Sequence, residues 1–452
     1  MRTSVALSCG SISIVMTLLV ACGGSNDSAP AEMSSADAGA VVMPDAGRAL
    51  RPPVDAATPS DEGAGSDAQP DAFVDMSDAG AGSVDAGPVS IYPQLVSSGG
   101  PVLTAPHIVP IFFPGYDFTT QVTDFVDKLG ATDYWKAATA EYGVGAPTAG
   151  TPVIVTTPAP AMISDMFIQA FLVDLASTGK LGTPDPQTIF AVFYPTTTVV
   201  TQGMDKSCVD FGAYHSNFEW GTVQYPYAVI PECTNFKTLQ GIDMVTGAAS
   251  HEFIEASTDP IPNNDPAFDR EDDDHLAWMF FSVGGENGDM CAQNPSSFYK
   301  PVGFDYMVQR GWSNIAAAAG KDPCVPAIPS LPYFNAVPTF PDVVTLSFMD
   351  GFVAKTHGIA IDLGVTKTIE LDLFSDGAPS APWTIVATDE NAKNGGAPIL
   401  KFDFDKNGGL DGDKVHLTIT VLQKGSNGIE PFLLTSTLGT QKAAWAGVVL
   451  SH

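Results

Sequence analysis

Residues 250–260 read SHEFIEASTDP. The zinc-hydrolase helix has the form H-E-x-x-H, with two ligands one turn apart and a general-base Glu after the first. Here His251 and Glu252 keep their places and Glu255 stands where the second histidine is usual. In the helix expected over this stretch, His251 and Glu255 share one side, and Glu252 lies about 100° round from His251. Upstream, Ile242, Val245, Ala249, Phe253 and Ala256 fall on another face, the expected core face. Pro260 pushes Asp259 toward extended backbone, so the helix should stop near Thr258.

Zinc accepts imidazole nitrogen and carboxylate oxygen, so His251 and Glu255 can supply two ligands and Glu252 can take a proton from a bound water. A third ligand must come from elsewhere. Glu286, in the segment GGENGDMC, ranks first. Asp289 is an alternative ligand or a partner that orients His251, and His215, His275 and Asp259 are rivals. One histidine with two carboxylates is more anionic than the usual set, which weakens Lewis acidity. A serine or cysteine nucleophile has little support, since no G-x-S-x-G elbow is present.

Around the motif, the order of elements sets the fold class. IVPIFF from Ile108 reads as a strand, with Pro110 favouring an edge or a bulge. Val122, Phe125, Val126 and Leu129 have helical spacing. The segments TPVIVTT and TIFAVFYP read as strands, with a helix between them capped by Ser164. Strand and helix alternate, which predicts a zincin-like α/β or α+β domain over residues 91–328. Beyond Cys324 the proline-rich PAIPSLPYF leads into short alternating runs separated by turns, which predicts an all-β, Ig-like sandwich over 329–452. DKNGGLDGDKV, from Asp405, reads as a hairpin connection within it.

The chain begins with Arg2, an apolar run from about Ile12 to Val20, and LVAC ending at Cys22. This reads as an export signal over residues 1–21; LVAC resembles a bacterial lipobox, which implies lipidation at Cys22, the alternative being an ordinary cleaved signal peptide. The run is shorter than the roughly 20 residues that span a bilayer. Residues 22–90 are rich in Asp, Ala, Gly and Pro. From 23 to 88, twelve acidic residues stand against two arginines. Such a tether is expected to be disordered and self-repelling, holding the folded part about 40 to 50 Å from the lipid. The net charge of −31 excludes nucleic acid and leaves the lipid as the only membrane contact. Cys208, Cys233, Cys291 and Cys324 are expected in disulfides in an exported protein. The shorter loops favour 208 with 233 and 291 with 324, although 233 with 291 would staple the segments beside the motif. The acidic run NNDPAFDREDDDH reads as a solvated loop, with Ca²⁺ binding as the alternative.

Taken in order, YWKAATAEYGVG, CVDFGAYHSNF, YPYAVIPEC, SHEFIEASTDP and ENGDMC resemble the EXORDIUM-like (phosphate-induced) family and its bacterial exported relatives. The resemblance spans about residues 91 to 328. It implies a secreted, wall-associated or growth-associated protein in which His251, Glu252, Glu255, Thr258, Asp259, Glu286, Asp289 and His215 belong to one site. The expectation is therefore an exported protein anchored to the outer membrane or cell surface, acting as a zinc-dependent hydrolase on a peptide or surface polymer. The alternative is a non-catalytic surface binding or adhesion module in which Zn²⁺ or Ca²⁺ is structural or absent.

Overall fold

Both faces of the strand Thr188–Tyr194 are covered, and every residue in it is buried. This strand is central to the sheet that carries the motif helix. The computed structural model describes residues 92–234, 239–281, 285–292, 294–329, 331–348, 353–425 and 427–451. The expected export signal, the expected lipidation site Cys22 and the expected tether lie outside the described residues. Among the described residues no helix is long and apolar enough to cross a membrane.

The six-stranded sheet runs from the short strands Thr148–Ala149 and Val153–Ile154 through His107–Phe112, Thr188–Tyr194 and Val223–Pro231 to the edge strand Tyr214–Trp220. All pairings are parallel except the last. Alternate residues separate into two cores, as strand geometry requires. Ile108, Phe112, Ile189, Phe193, Ala228 and Ile230 pack with helices α1 (Thr119–Leu129), α2 (Asp133–Thr139) and α4 (Gly241–Thr258). Val109, Ile111, Phe190, Val192, Tyr194 and Val229 pack with Ile168, Leu172 and Leu175 of α3 (Asp165–Ser177). Val122, Phe125, Val126 and Leu129 are the buried residues of α1, as their spacing predicts.

Two local expectations are corrected. The Pro110 strand is internal, not an edge: it pairs on one side with Thr188–Tyr194 and on the other with two short strands. Gly150 N donates to Ile108 O at 2.7 Å and Val155 N to Phe112 O at 3.0 Å, so Pro110 faces the gap between them, where no N–H is needed. Ser164 occupies the N-cap position of α3, at the end of the strand Met162–Ser164, but makes no side-chain cap bond.

The acidic run is also structured. Phe268–Glu271 pairs with Leu95–Ser97, Asp269 accepts from Ser98 Oγ at 2.6 Å, and Asp272 accepts from Gln94 N at 2.6 Å. Asp269 and Glu271 are buried, against the expectation of a solvated loop.

The C-terminal part is the predicted β-sandwich. One sheet orders Phe334–Pro338, Thr366–Ser375, Lys414–Val421 and Leu400–Phe404; the other orders Asp342–Ser347, Val353–Ile361, Gln441–Ser451, Ile429–Leu438, Trp383–Asp389 and Gly408–Gly409. Alternation is regular: Val415, Leu417, Ile419 and Val421 are buried along one strand. The 405–413 stretch joins two antiparallel partners, as expected, and Gly408–Gly409 reaches across to pair with Trp383 and Thr384 of the other sheet. Its core does not stop at residue 329. Tyr92, Trp278 and Trp312 join the same cluster as Trp383 and Trp445.

Candidate metal centre

Met244 to Thr258 of α4 are buried on every side, since the sheet covers one face and a later segment covers the other. The helix ends at Thr258, as Pro260 predicts, and Asp259 leaves it at φ −142° and ψ 71°. Ser250 fixes the covering segment: its Oγ accepts from Gln309 N at 2.9 Å. Gln309 Nε2 in turn donates to Gly288 O at 2.7 Å.

His215 enters from the edge strand, where it lies opposite Ala228 in the register. Its Nε2 is 3.2 Å from the Asp259 carbonyl oxygen. That bond puts the ring proton on Nε2 and leaves the Nδ1 lone pair facing the centre, the way a carbonyl orients a ligand histidine. Nδ1 is 3.7 Å from Glu252 Oε2, 3.7 Å from Glu255 Oε2 and 3.9 Å from Glu286 Oε2. From the other side, His251 Nε2 is 3.0 Å from Glu255 Oε2, 3.5 Å from Asp289 Oδ1 and 3.9 Å from Glu252 Oε1.

Bonds of about 2.0 to 2.2 Å to a tetrahedral cation place neighbouring ligand atoms about 3.3 to 3.6 Å apart, so these separations, which bracket that range, suit a metal. Glu255 Oε1 accepts from Asp289 N at 3.0 Å, whereas Oε2, fully buried, accepts no hydrogen bond among the described residues. A buried carboxylate oxygen that accepts no hydrogen bond is costly unless a cation meets it, either a metal ion or a protonated His251, whose Nε2 is 3.0 Å away. The donor triples that lie within 4.8 Å of one another are His215, Glu255 and Glu286, and His251, Glu252 and Glu255. Glu286 therefore meets Glu255 beside His215, not beside His251 as the expected ligand set had it.

The Glu286 to Asp289 segment is tied down at several points. Asn287 donates to Ala138 O at 3.2 Å and accepts from Trp312 N at 3.0 Å. Asp289 opens a four-residue helix, Asp289–Ala292, whose Cys291 is bonded to Cys324. Cys208 is bonded to Cys233, so the pairing that closes the shorter loops is the one present. Asp259 Oδ1 accepts from Ala267 N at 2.7 Å and helps to shape the helix exit. Thr258 returns its hydroxyl to Ile254 O at 3.1 Å, inside its own helix. His275 is elsewhere, bonded to Asp272 at 2.8 Å, with its ring 6.0 Å from that of Trp445. Asn287, Gly288 and Gln309 were not singled out from the sequence. Of these, only the glycine between the two acids of ENGDMC gave a visible signal.

No protein-family model matches the chain, and no curated protein matches it. Among solved structures it is similar to domains 4 and 5 of the S-layer protein SbsC, at 10% identity and a TM-score of 0.16, over 25% of this chain and 53% of that one. A fragment of titin domains I67–I69 is similar at 15% identity and a TM-score of 0.16, over 28% and 33%. The titin M3 domain is similar at 12% identity and a TM-score of 0.14, over 21% and 88%.

Proposed function

We propose that this chain is an exported, lipid-anchored surface protein of the EXORDIUM-like class whose H-E-x-x-E helix holds a divalent cation as a closed structural centre. The observation that carries the reading is Glu255. Its buried Oε2 lies between the imidazoles of His251 and His215 and accepts no hydrogen bond among the described residues. Imidazole in the donor set favours Zn²⁺ over Ca²⁺, which prefers oxygen alone. Bound there, the cation would offset part of the carboxylate charge and tie α4, the edge strand and the 286–289 segment together. His215, His251, Glu252, Glu255, Glu286 and Asp289 are each at most 2% exposed. A catalytic zinc keeps a position open to substrate, whereas a structural one is enclosed.

Zinc-dependent hydrolysis of a peptide or surface polymer in a zincin-like domain is the second reading, and Glu252 favours it. One of its oxygens faces each histidine, at 3.9 and 3.7 Å, where it can accept a proton from water.

The deciding experiment is metal analysis by mass spectrometry on the full chain, exported to keep its disulfides and purified without chelator, beside His215→Ala and Glu255→Gln. Bound zinc that either variant loses supports the centre, and a metal-free wild type overturns it. Peptide-library cleavage that disappears with Glu252→Gln while zinc is retained would move the conclusion to the hydrolase.

A further inference from the structure

We infer that the centre is built for two divalent cations bridged by Glu255, a deepening that rests on the metal reading above. Three observations lead there. The first is the division of donors: no triple among the described residues joins both histidines within 4.8 Å, whereas Glu255 belongs to both triples. One ion cannot sit about 2.1 Å from ligand atoms much farther apart than about 4.2 Å. His215 and His251 therefore define separate positions on opposite sides of Glu255 Oε2, at 3.7 and 3.0 Å from it.

The second observation is Glu255 Oε2 itself, a fully buried carboxylate oxygen that takes no hydrogen bond among the described residues and is aimed between the two positions. Glu252 is arranged in the same sense, with Oε1 toward His251 and Oε2 toward His215.

The third is charge. Four carboxylates, Glu252, Glu255, Glu286 and Asp289, converge in a closed space with two imidazoles. Two divalent cations bring four charges to four carboxylates, whereas one leaves half of them unmatched where desolvation is expensive. Carboxylate-bridged metal pairs use this donor composition, and two ions held about 3.5 to 4 Å apart share a bridging oxygen. One position takes His215, Glu286 and Glu255; the other takes His251, Glu252 and Glu255, with Asp289 beside His251.

The test is a cation count on the full chain, stripped by chelator and titrated with Zn²⁺, and separately with Mn²⁺ to read spin coupling by electron paramagnetic resonance. Two Zn²⁺ per wild-type chain and a coupled Mn²⁺ pair are expected. Glu286→Gln and His251→Gln should each retain one, and Glu255→Gln fewer than one, with far-UV circular dichroism checking that each variant folds. One Zn²⁺ at saturation, with uncoupled Mn²⁺, overturns the pair and leaves the single-cation centre standing. No bound cation overturns both. The wild-type count decides the matter even if every variant fails to fold.

Discussion

A methyl group on Gly288 would stand 2.6 Å from Nδ1 of His251 and 2.8 Å from Oε1 of Glu255. Both neighbours are buried parts of the candidate centre, so neither can yield without moving a proposed ligand. Gly288→Ala should lower cation affinity by roughly 10- to 100-fold, the range seen when groups that orient ligands are disturbed. Zinc competition with a chromogenic chelator measures this. Unchanged affinity would remove Gly288 from the argument.

Cys291–Cys324 anchors the short helix that begins at Asp289. Replacing both cysteines by serine should cost about 2 to 5 kcal/mol of stability and weaken cation retention. The Cys208, Cys233 double serine variant should cost similar stability with less effect on the cation. Denaturant midpoints and metal content of the two double variants, measured side by side, separate these outcomes.

Asn287 joins Ala138 O to Trp312 N, and all three residues are buried. Asn287→Ala removes the side-chain donor to Ala138 O, while Trp312 N keeps its bond to the Asn287 backbone oxygen at 3.0 Å, so the cost should be about 1 to 3 kcal/mol for one unsatisfied carbonyl. Urea unfolding of cation-free protein checks the cost without interference from binding. A loss seen only in the loaded form would place Asn287 in the centre and not in the scaffold.

Asp272 offers a pH test away from the centre. Burial raises its pKa, but the hydrogen bond and charge of His275 and the N–H groups of Gln94 and Asp274 outweigh this and hold it below the ordinary value. A depressed carboxylate contributes stability above its ordinary pKa of about 3.9 and loses it as pH falls through the folded value. Asp272→Asn should therefore be less stable than wild type at pH 6, and the difference should shrink on acidification below about pH 4. A gap that stays constant from pH 6 to pH 3 would refute the assignment.

The legible parts of the fold are those fixed by periodicity within one segment. Val122 to Leu129 and the alternation of Val415 to Val421 carry their burial in their spacing. α4 was legible in its extent and stop signal but not in its surroundings, because the segment that covers the face of His251 comes from residues 286–312. His215 was only a rival ligand in the sequence. Its place depends on a strand register, opposite Ala228, that no local pattern encodes. Pro110 misled for the same kind of reason: a proline argues against a donor at one position, and here the partner strand is interrupted there.

Trp445, in the strand Gln441–Ser451, has its ring 5.3 Å from that of Tyr92 and 5.9 Å from that of Trp278. That strand lies inside its sheet, between Val353–Ile361 and Ile429–Leu438. The amino-terminal part leaves the ribosome first, yet Tyr92 and Trp278 gain this one of their aromatic partners only when nearly the whole chain has been made. Completion of this aromatic cluster is therefore a late event in chain synthesis. Until then, part of their aromatic surface stays open, which makes the interval between synthesis of residues 92–278 and closure over Trp445 the stage most exposed to proteolysis.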